Sequence, residues 1–125
     1  MSKYNRQKGH SFERQIAKEF REIGFKDAKT TREARGGNWS ETDEGIDLVG
    51  TGKFSVQCKN KQQYVSVNTI GEVQVFPSTR GIFNHKMVLV EAVPQIPIVL
   101  TKAVRKPIMA IIPWKDLKEL LPVEQ

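Results

Sequence analysis

Asp47, Gln57 and Lys59 are the residues whose types and spacing best suit chemistry, and all three fall within residues 45–59. A carboxylate and an amide oxygen are hard donors suited to Mg²⁺. An ammonium beside them can orient or deprotonate a water and neutralise charge developing on a phosphate. The segment reads Gly-Ile-Asp-Leu-Val-Gly-Thr-Gly-Lys-Phe-Ser-Val-Gln-Cys-Lys, which predicts a β-hairpin. In its second half Phe54, Val56 and Cys58 alternate with Ser55, Gln57 and Lys59, the period of a half-buried strand. Gln57 and Lys59 therefore share a face, roughly 6.6–7 Å apart along the strand.

Register decides whether Asp47 joins them. Thr51-Gly52 marks the turn. A two-residue loop sets Asp47 opposite core-facing Val56. A three-residue loop, Thr51-Gly52-Lys53, pairs Asp47 with Gln57, Leu48 with Val56 and Ile46 with Cys58. Only odd loops keep the apolar residues on one face, so an odd loop is expected.

A helix offers a second carboxylate. From about Ser11 to Ile23, the residues Phe12, Ile16, Phe20 and Ile23 form one apolar stripe. Ser11 suits the N-cap, and Gly24 followed by Phe25 suits a C-terminal glycine cap. Glu13 lies on the edge of the stripe, in line with Ala17 and Phe20, and no base stands four residues on to pair with it. It is either a functional carboxylate leaning on the sheet or an ordinary acid favoured near a helix start.

Charge distribution narrows the class of partner. The net charge is +6 over 125 residues, which suits a polyanion. Residues 1–35 hold ten Lys/Arg against five acids, and residues 48–125 hold the same numbers. Between them, residues 36–47 hold Glu41, Asp43, Glu44 and Asp47 with no base. Basic surface with one concentration of carboxylates is what phosphodiester hydrolysis needs; a merely solvated acidic loop is the alternative.

The remaining elements must position these groups. The length and 38% hydrophobic content predict one domain with a real core. No apolar run reaches the ~20 residues of a membrane span, and the N-terminus lacks a signal-peptide core, so no membrane partner is expected. The single Cys58 excludes an intramolecular disulfide and a thiolate metal cluster, reads as a buried core thiol, and suits a cytoplasmic location. Residues 1–9 read as a mobile basic arm. Residues 25–31 suggest a first strand, and residues 31–40 a substrate-contacting loop. In that loop Arg32 and Arg35 can grip phosphates, while Trp39 can stack on substrate or tuck into the core. Residues 64–67 suit a short strand or extended segment, and residues 69–80 fit neither pattern. Residues 84–93 can be helix or strand; helix is preferred because a second helix must cover the sheet, and His85 there reads as structural. Residues 96–101 and 108–112 are β-branched runs separated by a basic turn, residues 102–106, and residues 114–121 predict a closing helix.

Glu13, Gly45-Ile46-Asp47 and Gln57-Cys58-Lys59 together resemble the PD-(D/E)XK nuclease superfamily. Within it, Lys8-Gly9-His10-Ser11-Phe12-Glu13-Arg14 and the loop before Asp47 resemble the archaeal and phage Holliday junction resolvases. Gly-Ile-Asp-Leu-Val followed by Gln-Cys-Lys-Asn is similar instead to the Mrr-type restriction endonucleases, which also carry Gln-x-Lys. The likeness spans residues 8–61. It implies an α/β, restriction-endonuclease-like domain: a central mixed sheet flanked by helices. It also implies metal positions at Glu13, Asp47 and Gln57, a catalytic lysine at Lys59, and Ser40 near the scissile phosphate. Lys8, Arg14, Arg32, Arg35 and Lys61 become DNA-contacting residues. Mg²⁺ is the expected cofactor, with Mn²⁺ able to substitute. The expected partners are a branched four-way DNA junction, nicked in pairs, and a second copy of the chain. On the Mrr-type reading the substrate is duplex DNA, and a third reading is an inactive DNA-binding module on the same fold. One departure stands out: Gln57 occupies a place where the superfamily usually has an acid, which shifts metal binding toward Glu13 or Glu44.

Overall fold

The computed structural model describes residues 3–34, 46–73, 75, 81–83, 86–88 and 96–122. Helix α1 (Lys3–Glu22) is followed by β1 (Lys29–Thr30), α2 (Thr31–Ala34), β2 (Leu48–Val49) and β3 (Phe54–Asn60). A 3₁₀ helix (Val67–Glu72) leads to β4 (Gly81–Phe83) and β5 (Lys86–Val88). The chain then runs through β6 (Ile96–Lys102), β7 (Met109–Ile111) and α3 (Trp114–Leu120). The centre is a three-stranded mixed sheet in the order β3-β6-β7, parallel between β3 and β6 and antiparallel between β6 and β7. β1 pairs with β2 and β4 with β5, each antiparallel. The architecture is mixed α/β, as expected, with α1 packed on β3. Among the described residues no helix is long and apolar enough to cross a membrane.

Burial of one stripe holds α1 in place. Phe12, Ile16 and Ala17 pack with Leu48, Val56 and Cys58 in one cluster, bordered by Phe20, Phe54, Leu100 and Ile108. Two expectations about this helix are corrected. It begins at Lys3, so Ser11 is an interior residue rather than the N-cap, and residues 3–9 are helical instead of an arm. Lys, Arg and Gln in that stretch are good helix formers, and extending an existing helix adds one bond per residue fixed. The far end follows the sequence. Gly24 takes φ 122°, the Phe25 N–H donates to Phe20 O at 3.0 Å, and the Gly24 N–H donates to Arg21 O at 3.2 Å. The Phe20 and Phe25 rings meet edge to face at 5.4 Å, completing a Schellman cap. Because the chain turns there, Ile23 leaves the stripe and is 73% exposed.

The expected 47–57 hairpin ladder does not form. β2 pairs with β1, in the register Lys29↔Val49 and Thr30↔Leu48. Gly50 (φ 76°) and Gly52 (φ 61°) redirect the chain. Thr51 closes a local turn, its Oγ1 donating to Phe54 O at 2.7 Å while the Phe54 N–H donates to Thr51 O at 3.2 Å. Strand β3 also departs from a half-buried pattern: Ser55 and Gln57 are buried along with Val56 and Cys58. Further along, β5 makes residues 86–88 a strand, which corrects the helical preference there; residues 84–85 and 89–93, His85 among them, lie outside the described residues. β6, β7 and α3 fall where the sequence places them.

Among the described glycines, Gly50 has the least room for a side chain. A Cβ built there lies 2.3 Å from the backbone oxygen of Asp27. Gly50→Ala is expected to destabilise by at least about 2 kcal/mol. Gly9→Ala, in the open middle of α1, is expected to stabilise by about 0.5–1 kcal/mol. Denaturant midpoints at constant slope check both, and an unmoved midpoint for Gly50→Ala would contradict the close approach.

Candidate active site

Asp47 is fixed from three directions. Its carbonyl accepts the Thr31 N–H at 2.9 Å, and its own N–H donates to Val56 O at 2.8 Å. The Thr31 hydroxyl donates to Ile46 O at 3.0 Å, stitching the same segment to the start of α2. The carboxylate Oδ2 then accepts the Cys58 N–H at 2.7 Å. Along one edge of a strand, the carbonyl of a residue and the amide two positions on serve the same neighbour. Asp47 meets Val56 O with its backbone and the Cys58 N–H with its side chain, so its carboxylate stands where a neighbouring strand's carbonyl would be. Asp47 is brought to β3, though by a route other than the expected ladder.

Electrostatics ties Glu13, Asp47 and Lys59 into one site. Glu13 sits one residue after buried Phe12 and one turn before buried Ala17, which holds it against the core edge. Burial pushes its carboxyl up to about 7, the charge of Asp47 adds to the rise, and Arg32 and Arg14 oppose it. Burial also raises Asp47, while the Cys58 amide and Lys59 pull it down. Cys58 is a buried free thiol, as expected. Burial, and then Asp47 and Glu13, push it far above its ordinary value, which keeps it from forming a thiolate.

Gln57 is 7% exposed, and its Oε1 accepts no hydrogen bond among the described residues. A buried amide oxygen left unpaired costs about 1–3 kcal/mol, a cost that a bound cation or its water removes. Among the described residues no group of three or more His, Cys, Asp or Glu is arranged to hold a metal. The hard donors that interact here are the two carboxylates, Glu13 and Asp47. That set fits Mg²⁺, which binds through one or two carboxylates and keeps waters.

The other expected site residues divide. Arg32 lies in α2 rather than in a loop, acts on Glu13, and meets His10 Nε2 at 3.1 Å. Arg14 is exposed and donates to Ser11 Oγ at 3.2 Å. Lys8 is half-buried on α1, and Lys61 is exposed just past β3. Ser40, Arg35, Trp39 and Glu44 lie outside the described residues. Sequence reading missed Thr31, the Val56 carbonyl and the Cys58 amide, the groups that set Asp47. It also missed His10, because a contact across 22 positions leaves no local pattern.

The chain matches the restriction endonuclease family of Mrr catalytic domains over residues 4–92. It belongs to that family, and its three-stranded mixed sheet with flanking helices suits a restriction-endonuclease-like nuclease domain. No curated protein and no solved structure matches the chain.

The raised carboxyl of Glu13 makes stability depend on pH. The folded state favours the protonated acid and the unfolded chain the ionised one. The contribution is whole below the ordinary value of 4.5, declines as pH rises, and is lost above about 7. In chelator, the melting temperature is expected to fall between pH 5 and 8, and Glu13→Gln is expected to flatten that fall. Identical profiles for the two proteins would refute the desolvated state of Glu13.

Proposed function

We propose that the protein is a metal-dependent endonuclease that hydrolyses DNA phosphodiester bonds. The observation that carries this reading is the pair of desolvated carboxylates, Glu13 and Asp47, interacting with each other beside Lys59. Two acids left together in low dielectric repel, and a divalent cation relieves the repulsion. Glu13, the free Oδ1 of Asp47 and Gln57 Oε1 would hold Mg²⁺, with Mn²⁺ able to replace it. When bound, such an ion lowers the pKa of its water and offsets charge on the phosphate. Lys59 orients the attacking water or takes its proton, and neutralises the developing phosphorane charge. Asp47 is prevented from swinging away by the Cys58 N–H and the backbone bonds to Thr31 and Val56. Arg32, Arg14, Lys8 and Lys61 meet the flanking phosphates, with Arg35 and Ser40 assigned to the same surface from the sequence.

Membership of the Mrr-type family favours duplex DNA as substrate. The segment Lys8-Gly9-His10-Ser11-Phe12-Glu13, which resembles the start of junction resolvases, supports a second reading: paired nicking of four-way junctions by a homodimer. Two active sites related by a two-fold axis would match a symmetric junction.

Purified protein with Mg²⁺, offered a linear duplex and a four-way junction of matched sequence, separates these readings. Cutting of the duplex supports the restriction-type reading, junction preference supports the resolvase reading, and absence of cutting on both refutes the enzyme. Asp47→Asn and Lys59→Ala are each expected to lower the cleavage rate by at least about 100-fold with DNA binding retained. Cleavage persisting in Asp47→Asn would remove that residue from the site.

A further inference from the structure

β3 and β6 run parallel, with Asn60 beside Lys102 at their carboxyl ends. Lys59 and Lys61 close β3, and the turn after β6 carries Lys102, Arg105 and Lys106. Open α/β sheets bind ligands outside the carboxyl ends of their strands, so this end of the sheet is a natural place for substrate. Here it is lined with cations. Among the described residues, the side chains of Lys61, Lys102 and Arg105 make no ion pair or hydrogen bond.

The turn is held rigidly. The Lys61 N–H donates to Lys102 O at 3.1 Å, and the Val104 N–H to Gln62 O at 3.3 Å. Ala103 is fully buried beneath it. Tyr64 Oη donates to Pro107 O at 2.6 Å, and Lys106 Nζ lies 5.7 Å from the centre of the Tyr64 ring. Val104, Arg105 and Lys106 are left exposed.

Arg105 is the unusual member. The Lys106 N–H donates to Ala103 O at 3.1 Å, closing a turn in which Arg105 is the third residue, with φ 61°. That position calls for glycine or asparagine. Among the described residues it is the one non-glycine with positive φ. An exposed arginine in a left-handed conformation gains nothing for the fold, and strain of this kind is retained where a side chain is needed.

We infer that the turn at residues 102–106, together with Lys61, is a second DNA-contacting surface that grips the phosphate backbone beside the Lys59 end of β3. Arg105 is its leading contact. The inference rests on the DNA-cleaving reading given above and adds a surface to it.

The test is binding in EDTA, where no cutting occurs, to a labelled 30-bp duplex and a four-way junction over a salt series. Arg105→Gly relieves the backbone and removes the cation. It is expected to keep or raise the melting temperature by about 2–5 °C. It is also expected to weaken binding several-fold and to reduce the salt slope by about one. Lys61→Gln with Arg105→Gly is expected to reduce the slope by about two. Arg105→Lys, which keeps the charge, is expected to preserve the slope. Unchanged affinity and slope in Arg105→Gly and in the double variant would overturn the inference while leaving the nuclease reading intact. Failure of the wild-type protein to bind either DNA would overturn both.

Discussion

The 2.7 Å hydrogen bond from the Cys58 N–H to Asp47 Oδ2 is the contact on which the candidate site depends. It takes a strand-edge amide that would otherwise lack a partner and satisfies it with a charge. Fold and site are thereby joined, since the group that completes the edge of β3 is also a metal-donor candidate. One oxygen of the carboxylate is spent on the fold, and the other remains for chemistry. Burial raises the pKa of Asp47, and the Cys58 amide and Lys59 oppose part of that rise.

Glu13 reaches the same place by a different mechanism. Among the described residues no hydrogen bond fixes it; its position follows from the packing of Phe12, Ile16 and Ala17 against Leu48, Val56 and Cys58. Helix geometry then sets the carboxyl at the edge of that cluster, where water is scarce and Asp47 is close. The two acids are asymmetric as a result. Asp47 is positioned by directional bonds and Glu13 by apolar packing, and burial followed by the charge of Asp47 pushes the Glu13 carboxyl up to about 7.

How much of this the sequence disclosed depended on whether the signal was local. The glycine cap at Gly24, the strands β6 and β7 and the closing helix were readable from short-range pattern. So was the lean of Glu13 toward the sheet, because one helical turn relates it to Phe12 and Ala17. The strand register was not. Pairing rules assume that neighbouring strands bond to each other, and here β2 bonds to β1 while Asp47 reaches β3 with a side chain. Burial of Gln57 was hidden too: Ser55 and Gln57 alternate as an exposed face would, yet both are buried. The extension of α1 back to Lys3 carries no apolar periodicity to read.

Gln57 bears on what the site can do as well as on where it sits. In the proposed role, Glu13, Asp47 and Lys59 sum to one net negative charge, and a divalent cation brings the loaded site to one net positive charge. An acid at position 57 would leave that loaded site neutral. The glutamine therefore weakens cation binding and strengthens attraction for the phosphodiester anion, a trade between two partners of opposite sign. Both halves agree with the rest of the chain. The weaker hold on the cation falls on a site where burial and Asp47 already press Glu13 to keep its proton, and the stronger pull on phosphate continues the run of cations from Lys59 through Lys61.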